Sequence, residues 1–338
     1  MTNDEHDHGK GHGHSHAGID PSIVSSNRGI WAVKWSFVGL FITAALQLAV
    51  VIWSNSISLL ADTIHNFGDA ATAIPLAIAF VFAKRKPSPR FTYGYGRVED
   101  FAGIVVVLTI LASAIVAAYE AIQRLINPER VGHLGAVAIA AVIGFLGNEG
   151  VAIFRIRVGK EIGSAALVAD GYHARTDGWT SLAVLFGALG VWLGFPLADP
   201  IIGLLITAAI LVIVWRSAQE IISRALDGVD SETLSEVQHA ASHVAGVREV
   251  TEVRARWLGH QLLAEVNIAV DPSLTVEQGH EIATEVHRQL VSNLPFLARA
   301  VVHVDPVGAS GEEHHAEVKH HEHPPEHAHL SDAHHHST

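Results

Sequence analysis

The chain has 338 residues, 49% of them hydrophobic and 17% charged, with a mean hydropathy of +0.30. That balance is too apolar for one soluble domain and fits an integral membrane protein with a soluble part. A formal charge of −12 argues against nucleic-acid binding, which needs clustered Lys and Arg, and the lack of cysteine excludes disulfides and thiolate metal sites.

In chain order, residues 1–30 form a polar tail containing "HDHGKGHGHSH", a low-complexity stretch that cannot bury a core and is expected to be disordered. The first apolar run begins near Trp31, behind this polar leader, so no cleavable signal peptide is expected. Six apolar segments follow, at 33–53, 57–83, 101–126, 133–154, 164–194 and 200–222. Each is near or above the ~20 residues that a helix needs to cross the hydrocarbon core. Polar and turn-forming stretches separate them, such as "KRKPSPR" at Lys84 and "GFPLADP" at Gly194, and Pro75 is placed to kink the second. The expectation is a membrane all-α domain of six transmembrane helices over 31–226. Lys84, Arg85, Lys86, Arg90 and Arg97 follow the second segment, and Arg155, Arg157 and Lys160 follow the fourth. By the positive-inside rule both termini are cytoplasmic, in a multi-pass protein of the inner (cytoplasmic) membrane.

Beyond Asp227 the composition becomes that of a soluble domain. Residues 231–245 have the pattern of an amphipathic helix, "REVTEVRARWL" and "HQLLAEVNIAV" alternate as strands around a tight "LGH" turn, a second helix covers about 275–292, and "ARAVVHVDP" forms a last strand. The order α-β-β-α-β over 227–308 predicts a small cytoplasmic α+β domain of ferredoxin-like type. Residues 309–338 are a second His-rich tail expected to be disordered.

One motif occurs twice. "ADTIHNFGD" from Ala61 and "ADGYHARTD" from Ala169 both read A-D-x-x-H-x-x-x-D, in otherwise apolar segments with dissimilar flanks. On a helix, positions i, i+3 and i+7 share a face, so Asp62, His65 and Asp69 align, as do Asp170, His173 and Asp177. Ionisable groups in a membrane are costly and usually functional. A local His–Asp hydrogen bond on each helix is the plainer reading, and it does not account for two matching copies. Packing the second segment against the fifth brings His65, Asp69, His173 and Asp177 together as a four-ligand N2O2 set suited to tetrahedral Zn²⁺. Asp62 and Asp170, one turn earlier, are placed to hold the imidazole N–H or accept protons from it.

These residues, the six segments and the α-β-β-α-β ending resemble the cation diffusion facilitator family of divalent-metal/proton antiporters, over about residues 30–307. The resemblance implies a homodimer in the lipid bilayer, with a transport site between the second and fifth helices of each protomer. It implies Zn²⁺ as the transported ion, with Cd²⁺, Co²⁺, Fe²⁺ or Ni²⁺ as further possibilities, and protons as counter-ion. It also implies an interlock between Arg97 and Asp227, and a metal site in the cytoplasmic domain drawing on His280, His303 and Asp305. Asn267 and Thr251 stand where relatives often have ligands, and His260 or Glu265 is the candidate substitute. The loop "RFTYGYGRVED" has no histidine and is expected to bind no metal. The His-rich tails suit weak metal buffering. An enzyme is not expected, because no general base or oxyanion donor accompanies the motif. The alternative function is a membrane-anchored metal sensor or buffer without flux, which would not need a ligand quartet within the bilayer.

Overall fold

The computed structural model describes residues 21–54, 73–126, 134–195 and 197–308. Long apolar runs without internal turn residues become helices α1 (Pro21–Ser54), α2 (Ala73–Ala83), α3 (Arg97–Ile126), α4 (Leu134–Ile162), α5 (Ala165–Trp192) and α6 (Ala198–Ala225). Four of these, α1, α3, α4 and α6, are both long and apolar enough to span a bilayer. The described part of the second segment is short, and its Asp62, His65 and Asp69 lie outside the described residues. Helix α5 is 28 residues long, but it carries Asp170, His173, Arg175 and Asp177, which lower its hydropathy. Six spans were expected, so the difference falls on the two segments that bear the repeated motif.

Two helices extend past their apolar runs. Helix α1 starts at Pro21, inside the expected N-terminal tail. Its extra turns are tied down by Ser26, which is fully buried, and by Arg28, which sits 4.3 Å over the Trp31 ring and 3.2 Å from Glu161. Helix α4 runs on to Ile162, so Arg155, expected in a cytoplasmic loop, is instead within the helix and 1% exposed.

The cytoplasmic domain is helix α7 (Ser231–Ser242), strands β1 (Glu249–Leu258) and β2 (Gln261–Val270), helix α8 (Val276–Asn293) and strand β3 (Leu297–Pro306), as the sequence order predicts. The sheet order is β1-β2-β3, with β1 antiparallel and β3 parallel to β2. A parallel neighbour needs a crossover, and α8 supplies it. Asp230 caps α7 by accepting from the Thr233 N–H, and Thr275 with Gln278 forms a capping box on α8. Val237, Trp257, Val266, Ile268, Val286 and Leu290 centre the core between helices and sheet.

The β1–β2 turn docks this domain on the membrane helices. Gly259 has φ +63°, a conformation that favours glycine, and a Cβ there would lie 2.7 Å from the Gly96 carbonyl oxygen. The next residue, His260, is buried with Nδ1 2.6 Å from Oε2 of Glu99 and Nε2 3.3 Å from the Ser26 hydroxyl. The Ser164 hydroxyl donates to the other Glu99 oxygen at 2.5 Å, and the Gly259 N–H donates to Asp100 at 3.3 Å. Beside this cluster, Arg97 pairs with Asp227 and donates to the carbonyls of Arg224 (3.2 Å) and Ala225 (3.0 Å), the last residues of α6. The Arg97–Asp227 interlock is thus present, and it also satisfies helix-end acceptors that would otherwise be orphaned. Removing one partner of a buried hydrogen bond leaves the other unsatisfied at a cost of about 1–3 kcal/mol. His260→Ala should therefore lower unfolding stability in detergent by about that much. A Glu99→Gln/His260→Ala double variant should lose less than the sum of the two single changes, as measured by chemical denaturation.

Candidate metal centre

Helix α5 presents the second copy of the motif. His173 is 1% exposed and Asp177 9% exposed, and His173 Nδ1 lies 3.6 Å from Asp177 Oδ1. The spacing i, i+4 places both on one face, as the sequence predicts. The intervening hydroxyls turn inward along the helix: Thr176 donates to the His173 carbonyl at 2.7 Å, and Thr180 to the Asp177 carbonyl at 2.8 Å. Their side chains therefore do not compete for the imidazole or carboxylate. Among the described residues no three His, Asp or Glu side chains converge on one point. The expected partners of His173 and Asp177, His65 and Asp69, lie outside the described residues.

Asp177 opens on a cavity of about 430 Å³ between α3, α5 and α6, lined also by Glu120, Thr176, Thr207 and Asp199. Arg124, near the end of α3, closes that region with a 3.1 Å contact to Asp199 at the start of α6. The Asp177 carboxylate thus borders a cavity lined by both polar and apolar side chains.

The neighbouring charges were only partly legible. Asp170, expected to serve His173, is paired instead with Arg155 of α4 at 3.0 Å, with both side chains at most 1% exposed. Arg155 also lies 3.4 Å from the Asp170 carbonyl oxygen. Close packing makes the pair possible, because a Cβ on Gly171 would lie 2.9 Å from the Ile156 backbone nitrogen. Five residues beyond Asp170, Arg175 forms a two-pronged contact with Glu149 of α4, with its shortest distance at 2.7 Å. The sequence reading did not single out Arg175. The available signal was charge balance, since an arginine on an apolar helix requires a nearby carboxylate. Gln47 donates to the Ala140 carbonyl at 3.2 Å and ties α1 to α4.

In the cytoplasmic domain, His303 Nε2 lies 3.0 Å from Asp305 Oδ1. Side chains alternate along β3, and Val302 and Val304 join the core, so His303 and Asp305 occupy the opposite face. Asn267 is in register with His303 and donates to Glu252 at 3.0 Å. His280 follows Gly279, which packs over Val304, so its helix covers the other side of the sheet. His260 lies seven residues from Asn267 along the strand direction, about 23 Å away at the usual strand rise. His260 therefore cannot stand in for a ligand beside His303 in the same protomer, and it is held by Glu99 instead.

With this geometry in view, comparison with known proteins is decisive about family. Residues 33–224 match the cation efflux transmembrane domain and residues 229–307 the cation efflux protein cytoplasmic domain. A probable cation efflux system protein of Mycobacterium tuberculosis is 52% identical over 288 residues, covering 85% of this chain and 87% of that one. The manganese efflux system protein MneP of Bacillus subtilis is 25% identical, covering 84% of this chain and 99% of its own. The solved MamM-CTD 215-293 is 33% identical and covers 22% of this chain and 95% of that one, with a TM-score of 0.22. The chain belongs to the cation efflux family, whose members are membrane transporters of divalent metal ions and not enzymes.

The Arg155–Asp170 pair yields a direct test. Arg155→Met or Asp170→Leu alone should destabilise the protein by about 3–5 kcal/mol, whereas the double replacement should restore stability to within about 1–2 kcal/mol of the parent. Thermal unfolding of the three variants in one detergent checks this.

Proposed function

We propose that the protein exports Zn²⁺ in exchange for protons, as a homodimer of the cytoplasmic membrane with both termini in the cytoplasm. The transport site is His65 and Asp69 of the second segment with His173 and Asp177 of α5. The observation that carries this reading is the buried His173–Asp177 pair, whose carboxylate borders a cavity between α3, α5 and α6, in a helix whose other charges are paired with α4. The imidazole and carboxylate of one motif form half of an N2O2 site, and the matching motif at His65 and Asp69 supplies the other half. Two carboxylates neutralise the dication where the dielectric is low, and two imidazoles favour borderline ions such as Zn²⁺ over harder ones. Cd²⁺, Co²⁺, Fe²⁺ and Ni²⁺ share enough of this chemistry to compete.

Exchange with protons follows from the same ligands. A ring nitrogen cannot hold metal and proton together, and the unperturbed imidazole pKa of about 6.5 lies close to the working range. Metal therefore binds from the neutral cytosol, and protons evict it on the more acidic side. His303 and Asp305 offer a second, cytoplasmic metal site on the outer face of the sheet, completed by a partner subunit rather than by His280 of the same protomer. The acidic, His-rich tails raise local metal concentration.

Reconstituted in proteoliposomes, the parent protein should move Zn²⁺ only when a proton gradient is imposed or generated. His65→Ala and Asp177→Ala should each reduce flux at least a hundredfold with unchanged dimer elution. Persistent flux in either variant contradicts the assignment. His65→Asp should shift preference between Zn²⁺ and Cd²⁺, and an identical selectivity profile counts against a ligand role.

A further inference from the structure

A cavity of about 670 Å³ lies at the seam between α5, α6 and the cytoplasmic domain, separate from the cavity that reaches Asp177. Its lining combines apolar, cationic and anionic groups, with Trp257, Leu262, Leu294 and Phe296 on the side of the cytoplasmic domain. Val168 and Ala169 of α5 and Ile213 of α6 give an apolar wall along two membrane helices. Lys160 in the last turns of α4 and Arg216 of α6 come next, where these helices leave the membrane; both are exposed. A third cation, Arg224, is already committed, to Glu220 at 2.8 Å, to the Gly163 carbonyl at 2.7 Å and to the Trp257 ring at 4.3 Å. That contact also occupies Glu220. The carboxylates that remain, Asp230 and Glu236, belong to α7 on the cytosolic side. Desolvation pushes the Asp230 carboxyl up, but hydrogen bonds from the Thr233 N–H and hydroxyl outweigh it and hold the group below the usual carboxylate range, so it stays charged.

We propose that this cavity binds the headgroup of one phospholipid of the ethanolamine class from the cytoplasmic leaflet. The groups of such a lipid match the three kinds of side chain in the lining. Acyl chains run along the α5–α6 groove, the phosphodiester meets Lys160 and Arg216, and the terminal primary ammonium reaches Asp230 and Glu236. A glycerol headgroup carries the phosphate but leaves both carboxylates without a cation. A choline headgroup carries the cation but has no N–H to donate to them. The bound lipid fastens α7 to α5 and α6, so the membrane bundle and the cytoplasmic domain share one ligand.

Native mass spectrometry of the delipidated full-length protein, titrated separately with phosphatidylethanolamine, phosphatidylglycerol and phosphatidylcholine, tests this. One phosphatidylethanolamine per protomer should be retained, at about tenfold higher affinity than the other two. Lys160→Ala/Arg216→Ala should lose that binding about tenfold or more. Asp230→Asn/Glu236→Gln should still bind phospholipid but without preference for ethanolamine; Asn keeps the α7 cap. Unchanged melting temperatures establish that both variants are folded, as expected for exposed side chains. Equal retention of the three lipids by the parent, or undiminished binding by the Lys160/Arg216 variant, overturns the proposal. So does displacement by soluble phosphoethanolamine at equal concentration, which marks a site for a free solute.

Discussion

The cost of placing charge inside a membrane governs this structure. Within two turns α5 carries Asp170, His173, Arg175 and Asp177, and an unpaired ion at that depth costs several kcal/mol. Two of these, Asp170 and Arg175, have partners on α4: Arg155 for Asp170, and Glu149 for Arg175. His173 and Asp177 adjoin each other, and Asp177 borders a cavity. Compensation by α4 is what allows one helix to combine a membrane position with so many ionisable groups. It also explains why α4 and α5 approach so closely, with Gly171 against the Ile156 backbone.

The same constraint shapes the joint between the two parts of the molecule. Glu99 and Asp100 open α3 with almost no exposure, and the cytoplasmic domain supplies their partners through the Gly259 N–H and His260. Ser26 of α1 and Ser164 just before α5 complete the cluster. Three membrane helices and one hairpin therefore meet around one carboxylate. Arg97, paired to Asp227 and hydrogen-bonded to the end of α6, adds a fourth helix. Movement of the bundle cannot leave the cytoplasmic domain unaffected while these bonds persist.

The cytoplasmic domain separates its tasks by strand alternation. Val302 and Val304 face the helices and hold the core, while His303 and Asp305 face outward. The outward face has its own polar row, with Asn267 in register beside His303 and bonded to Glu252. A surface of this kind is available to a second copy of the chain, whereas the helix-covered face bearing α8 is not.

By itself the sequence determined the main architecture. Uninterrupted apolar runs have few alternatives to helices in a bilayer, and period-two alternation around "LGH" leaves little but a hairpin. The repeat of His65 and Asp69 at His173 and Asp177 was legible because charge in such runs is rare. The pairing of Arg97 with Asp227 was available from family resemblance. Only the tertiary structure decided where the remaining charges go. Asp170 took Arg155 because α4 continues for eight residues past its apolar stretch, which hydropathy cannot show. His260 joined Glu99 because a tight turn at Gly259 carried it to the membrane helices, 161 residues away in the chain. His280 and His303 were set on opposite sides of a sheet by the packing of α8. Local pattern fixes which elements form and which faces they bury; partners between distant elements depend on how those faces dock, and no spacing along the chain encodes that distance.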